Sequence, residues 1–286
     1  MKIAILFWFY KDVNICRNRL LLLRKHNPGV RIYGLFGGDT KEIIKFEKQL
    51  APFLDDFAAC CTEKDSNWKW KQGDAMIAEW YRQRGKFLEW DTVVVAQWDM
   101  LILTKILSFL SGLKEGELFL SGLRPIEEVI VWWNWVKREG DRDDYLAFLE
   151  DIYSKFGKHT KVFCCQFIFV CLPKQFLEKY SEYNLVKGFI EYRLPTYANA
   201  LGFKFGACPR IKCDWPGDPL ADDLPPNKRT ITAQKIPIDL KTILLNIINP
   251  CGDRVFHPYN RLFPVDIFSA LSLSISILKD RWYRKT

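Results

Sequence analysis

Signals for several classes of protein are missing from this sequence. None of its nine cysteines forms a Cys-x-x-Cys pair, no long run of Lys and Arg occurs, and no apolar run approaches the ~18 residues of a membrane-spanning helix. The chain also lacks the recognition motifs that are typical of nucleic-acid-binding proteins. We therefore expect no transmembrane segment and no nucleic acid among its main ligands.

The amino terminus lacks the pattern of a secretory leader. The segment MKIAILFWFYKD has one early Lys, a short apolar stretch and no small-residue cleavage site, so we interpret it as a first strand. The adjacent pairs Cys60-Cys61 and Cys164-Cys165 lie inside apolar runs, where we expect buried free thiols in a reducing compartment. The sequence therefore predicts a cytoplasmic protein.

The composition of the chain is otherwise ordinary for a globular protein. At 286 residues, with 49% hydrophobic and 27% charged residues, it can bury a full core as one large domain. Aromatic residues, at 15% with eleven Trp, are dense; most should fill the core, but Trp and Tyr also stack on bases and sugars. The net charge of +8 is compatible with a phosphorylated small molecule, an anionic glycan or an acidic membrane surface.

The first third of the chain alternates apolar runs of strand length with segments of helical spacing. Strands are predicted at Ile3 to Tyr10, Arg31 to Phe36, Phe57 to Cys61 and Thr92 to Ala96. The intervening helices are predicted over residues 14–26, 40–54 and 74–85. Such alternation predicts right-handed crossovers and a mostly parallel sheet.

The second part of the chain is less regular. Val162 to Leu172 is the most apolar run and predicts a central core strand, followed by a helix over Gln175 to Tyr183. Ile190 to Phe205 is interpreted as a loop or the start of a helix, and residues 209–235 as a long loop. At the carboxyl end we predict a docked terminal element, whose basic residues leave open a peripheral membrane contact.

Two polar segments follow strands of the predicted parallel sheet. Tyr10-Lys11-Asp12 comes after the first strand and Gln97-Trp98-Asp99 after the fourth. Ligands bind at the carboxyl ends of such strands, so we expect the two segments to form one site. Asp99 is then either an ordinary strand-end acid or a ligand of Mg²⁺ or Mn²⁺, which prefer oxygen atoms. His257 is likewise either a hydrogen-bonded loop residue or a second metal ligand.

The order of these features resembles the GT-A fold of nucleotide-sugar glycosyltransferases over roughly residues 1 to 260. The segments that carry the resemblance are, in chain order, FWFYKD, IYGLFGG, QWDM, CCQFIFVCLPKQFLEKY, EYRLP and FHP. QWDM resembles the D-x-D signature that holds the metal of the donor diphosphate, with Gln97 where an acidic residue is usual. The resemblance implies an α/β fold, with a Rossmann-type mixed sheet and helices on both faces, in a single large domain.

Within that domain the resemblance implies a nucleotide-sugar-binding half at 1–104, an acceptor-binding half at 105–262 and a tail element at 263–286. Asp99 and His257 are the implied ligands of Mn²⁺ or Mg²⁺. Glu191 is the implied catalytic base and Arg193 an implied acceptor contact, although a structural pairing of these two residues stays open. The implied donor-binding residues are Trp8, Phe9, Tyr10, Lys71, Asp74, Gln97 and Trp98.

Three functions follow from the resemblance. The first is a metal-assisted hexosyltransferase that moves a sugar from a UDP- or GDP-sugar to a glycan or another hydroxyl acceptor, with retention or inversion undecided. Because Gln97 brings no charge, the second is a catalytically impaired nucleotide-sugar-binding protein of the same fold. The third is a nucleotidyltransferase of similar architecture. Proteins of that class usually have a Gly-rich basic loop after the first strand, and the segment FWFYKDVN contains none.

Overall fold

A computed structural model describes residues 1–60, 64–215, 217–218, 230–234 and 236–266 of the chain. Its strands are β1 (Ile3–Phe9), β2 (Arg31–Phe36), β3 (Asp56–Ala59), β4 (Thr92–Gln97), β5 (Leu101–Ile102), β6 (Phe119–Leu120), β7 (Arg124–Pro125), β8 (Phe163–Cys164), β9 (Val170–Pro173) and β10 (Val255–Phe256). Its α-helices are α1 (Val13–His26), α2 (Ile43–Leu50), α3 (Ser66–Lys71), α4 (Gly73–Gln83), α5 (Asn134–Lys137), α6 (Asp141–Phe156), α7 (Lys174–Tyr180), α8 (Ile190–Ala200) and α9 (Leu240–Ile248).

Six of the strands form one mixed sheet in the order β3-β2-β1-β4-β9-β6. The pairs β1–β2, β1–β4 and β2–β3 are parallel, whereas β9 runs antiparallel to both β4 and β6. The register places Trp8 of β1 beside Leu35 of β2 and beside Gln97 of β4. The mostly parallel sheet predicted for the first third is thus confirmed, and strands from both predicted halves share it.

The sheet is buried on both faces, because β1 alternates its side chains between two cores. Ala4, Leu6 and Trp8 belong to one core together with residues of α4, α7 and α8, while Phe7 and Phe9 belong to the other together with residues of α1 and α2. Full burial of a large apolar side chain stabilises a fold by about 1.5–3 kcal/mol. The predicted fold class, an α/β Rossmann-type mixed sheet with helices on both faces, is confirmed.

The apolar run Val162 to Leu172, predicted as one central strand, is divided into β8 and β9. Only β9 joins the main sheet. Between the two strands the backbone is held by other partners: the N–H of Cys165 donates to the carbonyl of Glu191, and the N–H of Phe167 to the Glu191 side chain. These bonds satisfy the backbone polar groups that a continuous strand would have used in a ladder.

Helix α8 occupies the segment interpreted as a loop or a helix start. Pro195 lies inside it and cannot donate a backbone hydrogen bond to the carbonyl of Glu191, four residues earlier. That carbonyl instead accepts from the N–H of Cys165 at 2.8 Å. A long-range contact therefore compensates for the proline and lets the helix continue.

Several other features went beyond the sequence interpretation or lie outside the described ranges. The charged stretch after the Trp-rich patch forms α6. Three aspartates lie in its first turn, where their negative charges interact favourably with the positive end of the helix dipole. Three predicted segments lie wholly or partly outside the described residues: Cys61, residues 267–286 of the predicted tail element 263–286, and much of the predicted loop 209–235. Among the helices that are described, none has the length and apolar character that crossing a bilayer requires.

Candidate active site

Asp99 lies in a tight turn directly after β4, and its side chain is largely buried. Residues 98 and 99 form a turn between β4 and the short strand β5. The turn is fixed by the N–H of Tyr259, which donates to the carbonyl of Asp99 at 2.7 Å. β5 in turn pairs with β10, which ends at Phe256. This pairing carries His257 to the end of β4, although the two residues are far apart in the chain.

His257 faces Asp99 through one defined ring nitrogen. Its Nδ1 lies 2.9 Å from the carbonyl of Thr232, and because a carbonyl only accepts, Nδ1 carries the proton that is donated. The other nitrogen, Nε2, lies 3.4 Å from Oδ1 of Asp99. When His257 is neutral, both Nε2 and Oδ1 present lone pairs, which repel each other. Their short separation is therefore favourable only with a proton or a cation between them.

The spacing of the pair fits two ligands of one metal ion. Ligand atoms about 2.1 Å from a cation and separated by an angle of roughly 90–110° are ~3.0–3.4 Å apart. Oδ1 of Asp99 is buried and accepts no hydrogen bond within the described part of the chain, which leaves it available for a cation. Among the described residues, no third His, Cys, Asp or Glu joins the pair.

The electrostatics of the pair favour opposite charges. Burial raises the pKa of Asp99, but His257 and, less strongly, Arg19 outweigh it, so that the pKa lies below its ordinary value. Burial lowers the pKa of His257, but Asp99, the Thr232 carbonyl and Glu191 raise it above its ordinary value. Asp99 is thus ionised at neutral pH, and its charge favours the protonated form of His257.

Arg19 of α1 holds the chain segment that follows His257. It is fully buried, and its guanidinium donates to the carbonyls of Tyr259 and Arg261 at 2.6 and 2.7 Å. Its neighbour Asn18 exchanges two hydrogen bonds with the backbone of Phe263. The helix after β1 therefore anchors the segment that brings His257 to Asp99.

Glu191 and Gln97 meet through the backbone of one residue. Gln97 donates its side-chain Nε2 to the carbonyl of Phe167, and the N–H of Phe167 donates to Oε1 of Glu191 at 3.0 Å. Burial raises the pKa of Glu191 to about 8, against the opposing effects of the Phe167 N–H and of His257. Glu191 thus lies in the same electrostatic environment as the Asp99–His257 pair.

Tyr10 connects this cluster to an open cavity of about 640 Å³. The Tyr10 ring lies edge-on to Trp98, with centroids 5.9 Å apart, and burial together with Asp99 raises the pKa of its phenol. Three kinds of side chain line the cavity. The aromatic ones are Tyr10, Trp70 and Trp135, the basic ones Lys11, Lys71 and Arg138, and the amides Asn67 and Asn134.

The cavity walls combine flat rings with cations. Lys71 and Arg138 lie 5.3 and 5.5 Å from the ring of Trp135, and both pair with the carboxylate of Asp141. Lys11, 5.5 Å from the Tyr10 ring, adds a further positive charge. An arrangement of this kind suits a ligand that has both planar and anionic parts.

Sequence reasoning found part of this lining. It assigned Tyr10 and Lys71 to the donor and placed Lys11 beside a strand end, but it left Trp70, Trp135 and Arg138 without a role. The dense aromatic patch VWWNW, with Lys137 and Arg138 shortly after it, was the signal that could have pointed to Trp135 and Arg138. Nothing in their local pattern indicated that α3 and α5 face one cavity.

Other predicted site residues are observed in packing roles. Phe9 is fully buried among Phe36, Phe46 and Phe57 on the far face of the sheet. The rings of Trp8 and Trp98 are nearly buried beside Tyr10. The donor contacts of these residues stay predictions.

Asp74 and Arg193 are paired with each other inside the protein. Their side chains are 0% and 1% exposed, and Tyr180 donates its hydroxyl to Asp74 at 2.6 Å. Arg193 also donates to the carbonyls of Lys187 and Gly188. The alternative of a Glu191–Arg193 pair is not what the structure contains, and the predicted ligand contacts of Asp74 and Arg193 stay predictions.

Comparisons with known proteins give remote likenesses only. No family model matches the chain, and no curated protein does so. The apo structure of the bifunctional glycosyltransferase WbbM is similar with a TM-score of 0.44 and 9% identity, over 91% of this chain and 46% of that chain. The inositol-1-phosphate CTP transferase from T. maritima is similar with a TM-score of 0.42 and 11% identity, over 72% of this chain and 84% of that chain. This chain spans less than half the length of WbbM, and likenesses of this degree assign no function.

Proposed function

We propose that this protein is a glycosyltransferase that takes a sugar from a nucleotide-sugar donor with the help of Mn²⁺ or Mg²⁺. The observation that carries the proposal is the convergence of Asp99, His257 and Glu191, from three distant parts of the chain, at the carboxyl end of β4. A cavity with aromatic and basic walls opens beside them. Ligands of α/β sheets bind at such strand ends.

The donor is proposed to occupy the cavity that Tyr10 joins to Asp99. Trp70 or Trp135 would stack on the base, and Lys11 and Lys71 would face the diphosphate, whose negative charge they offset. Asp99 and His257 would hold the metal ion. When bound, that ion supplies positive charge where the leaving diphosphate gains negative charge.

Glu191 is proposed to take the proton of the acceptor hydroxyl as this oxygen bonds to the anomeric carbon. The Phe167 N–H holds one carboxylate oxygen at 3.0 Å, which orients the other. A pKa of about 8 is close to the operating pH that suits a general base, and such a base typically contributes ~10²–10⁴-fold. Gln97, bonded to the same Phe167 backbone, would help to place this segment.

The test follows the release of nucleoside diphosphate from UDP-, GDP- and ADP-sugars in the presence of Mn²⁺. Release by the wild-type protein should disappear with a chelator and fall by at least ~100-fold in Asp99→Asn. Asp143→Asn, which removes an exposed carboxylate from α6, is the matched control and should keep full activity.

The other outcomes separate the alternatives. Tight binding of a nucleotide-sugar without turnover would favour the binding protein that the uncharged Gln97 suggests. Release of pyrophosphate from a nucleoside triphosphate and a sugar phosphate would favour a nucleotidyltransferase. If no nucleotide or nucleotide-sugar binds, the proposal is wrong.

A further inference from the structure

A second concave surface, which we call the apolar groove, lies between α5 and α6. It has a volume of about 440 Å³ and is lined by Ile130, Val131, Val136, Tyr145, Leu146 and Leu149. Val131 is 70% exposed, Leu146 45% and Ile130 41%. Exposed apolar side chains grouped around one groove mark a binding surface more often than scattered ones do.

The groove is also lined by two basic side chains. Lys137 and Arg142 line it, and no acidic residue does. Within the described ranges neither of them forms an ion pair, and Lys137 only donates to the carbonyl of Val131 at 3.3 Å. The nearby Arg138, by contrast, is paired with Asp141. Two unpaired cations beside an apolar lining complement a ligand with an apolar chain and an anionic head.

The groove and the donor cavity lie on two sides of the same short helix. Asn134 and Trp135 of α5 line the donor cavity, whereas Val136 and Lys137 line the groove. An α-helix with its side chains is only ~10–12 Å across. A molecule anchored in the groove would therefore have its head close to the donor cavity.

We propose that the apolar groove binds the hydrocarbon chain of an anionic amphiphile, and that this amphiphile carries the acceptor of the transfer reaction. The chain would lie against Val131 and Leu146, and the phosphate of its head against Lys137 and Arg142. The acceptor class is then a lipid-linked phosphate. This inference rests on the proposed glycosyltransferase function for its catalytic part, and on the groove alone for its binding part.

The binding part is tested with decyl phosphate, kept below the concentration at which it forms micelles, by calorimetric titration of the full chain. Decanol and inorganic phosphate, which each lack one half of the probe, should bind at least ~10-fold more weakly, a difference of about 1.4 kcal/mol. Leu146→Asp should weaken decyl phosphate binding at least ~10-fold, as should Lys137→Gln combined with Arg142→Gln. Ile44→Asp, at an apolar position 79% exposed on α2, is the matched control and should bind normally.

The catalytic part compares a sugar phosphate that carries a decyl chain with the same sugar phosphate without it. The chain should lower the KM for the acceptor at least ~10-fold. Leu146→Asp should abolish that advantage, whereas the control Ile44→Asp should keep it. An equal KM for both acceptors would overturn the proposal. The absence of decyl phosphate binding would also overturn it. If only phosphatidylglycerol vesicles bind, the proposal is likewise wrong, because the groove would then contact a bilayer and not a substrate.

Asp99→Asn separates this inference from the function on which it rests. The variant should lose transfer but bind decyl phosphate with unchanged affinity, because Asp99 is not part of the groove. If the wild-type protein binds decyl phosphate and transfers no sugar to any acceptor, the glycosyltransferase function fails and the acceptor role of the groove fails with it.

Discussion

Replacing Arg193 by Met tests whether the buried Asp74–Arg193 pair is structural. In the native protein the Asp74 carboxylate accepts hydrogen bonds from the Arg193 guanidinium, from the Tyr180 hydroxyl and from the N–H of Ala75. Arg193→Met leaves the last two. The carboxylate then stays in a position with 0% exposure without its positive partner.

The size of the effect follows from that burial. Removing one partner of a buried ion pair costs about 3–5 kcal/mol, since the remaining charge is neither paired nor hydrated. Each kcal/mol lowers Tm by roughly 2–4 °C in large domains, so we expect a fall of about 6–20 °C. Asp74→Leu combined with Arg193→Met, which replaces both charges by apolar groups, should recover most of this loss.

Thermal unfolding followed by circular dichroism measures these differences. Titration of the nucleotide-sugar, at a temperature where all variants are folded, then shows whether either residue contacts a ligand. We expect the double variant to bind the nucleotide-sugar as the wild type does. A single variant with nearly wild-type Tm but much weaker ligand binding would refute the structural assignment and restore the ligand contacts predicted from the sequence.

Three further predictions concern the site. Burial raises the pKa of Glu191 in the folded protein to about 8, so the free energy of unfolding should fall as pH rises from about 5 to 8. Glu191→Gln should remove this pH dependence, measured by urea unfolding with a chelator present. If His257 is a metal ligand as proposed, Arg19→Met should weaken Mn²⁺ binding by roughly 10-fold or more in a metal titration, because the segment that follows His257 loses its anchor. Arg17→Met, on the exposed face of α1, should not weaken it. Gly73→Ala would make its Cβ overlap with the Trp8 ring and should cost ~1–3 kcal/mol in urea unfolding.

The elements of the first third were predictable because their signals are local. The continuous apolar runs of β1, β2 and β4 and the helical spacing before and between them come from residues that are neighbours in the chain. The alternation of strands and helices implies a parallel topology. That topology places Asp99 at a strand end and Tyr10 and Lys11 at the neighbouring one, where ligands of such sheets bind. The sequence could therefore indicate one edge of the sheet as the place for a site.

The division of the run from Val162 to Leu172 was not predictable in that way. Its composition favours one strand, and the bonds that interrupt it come from Glu191 and Gln97 in other parts of the chain. The continuation of α8 through Pro195 has the same origin, because Cys165 supplies the missing hydrogen bond. Local propensity gives way wherever a distant group satisfies the backbone better.

The sequence by itself determined the fold class and the strand end at which Asp99 lies, since periodicity and composition depend only on near neighbours. Only the tertiary structure decided which residues surround that end. It brought His257 to 3.4 Å from Asp99 through the β5–β10 pair, and it joined Asp74 to Arg193 inside the protein. The physical reason is that charge pairing, burial and cavity walls arise from contacts between distant segments, whose geometry the packing of the whole chain sets.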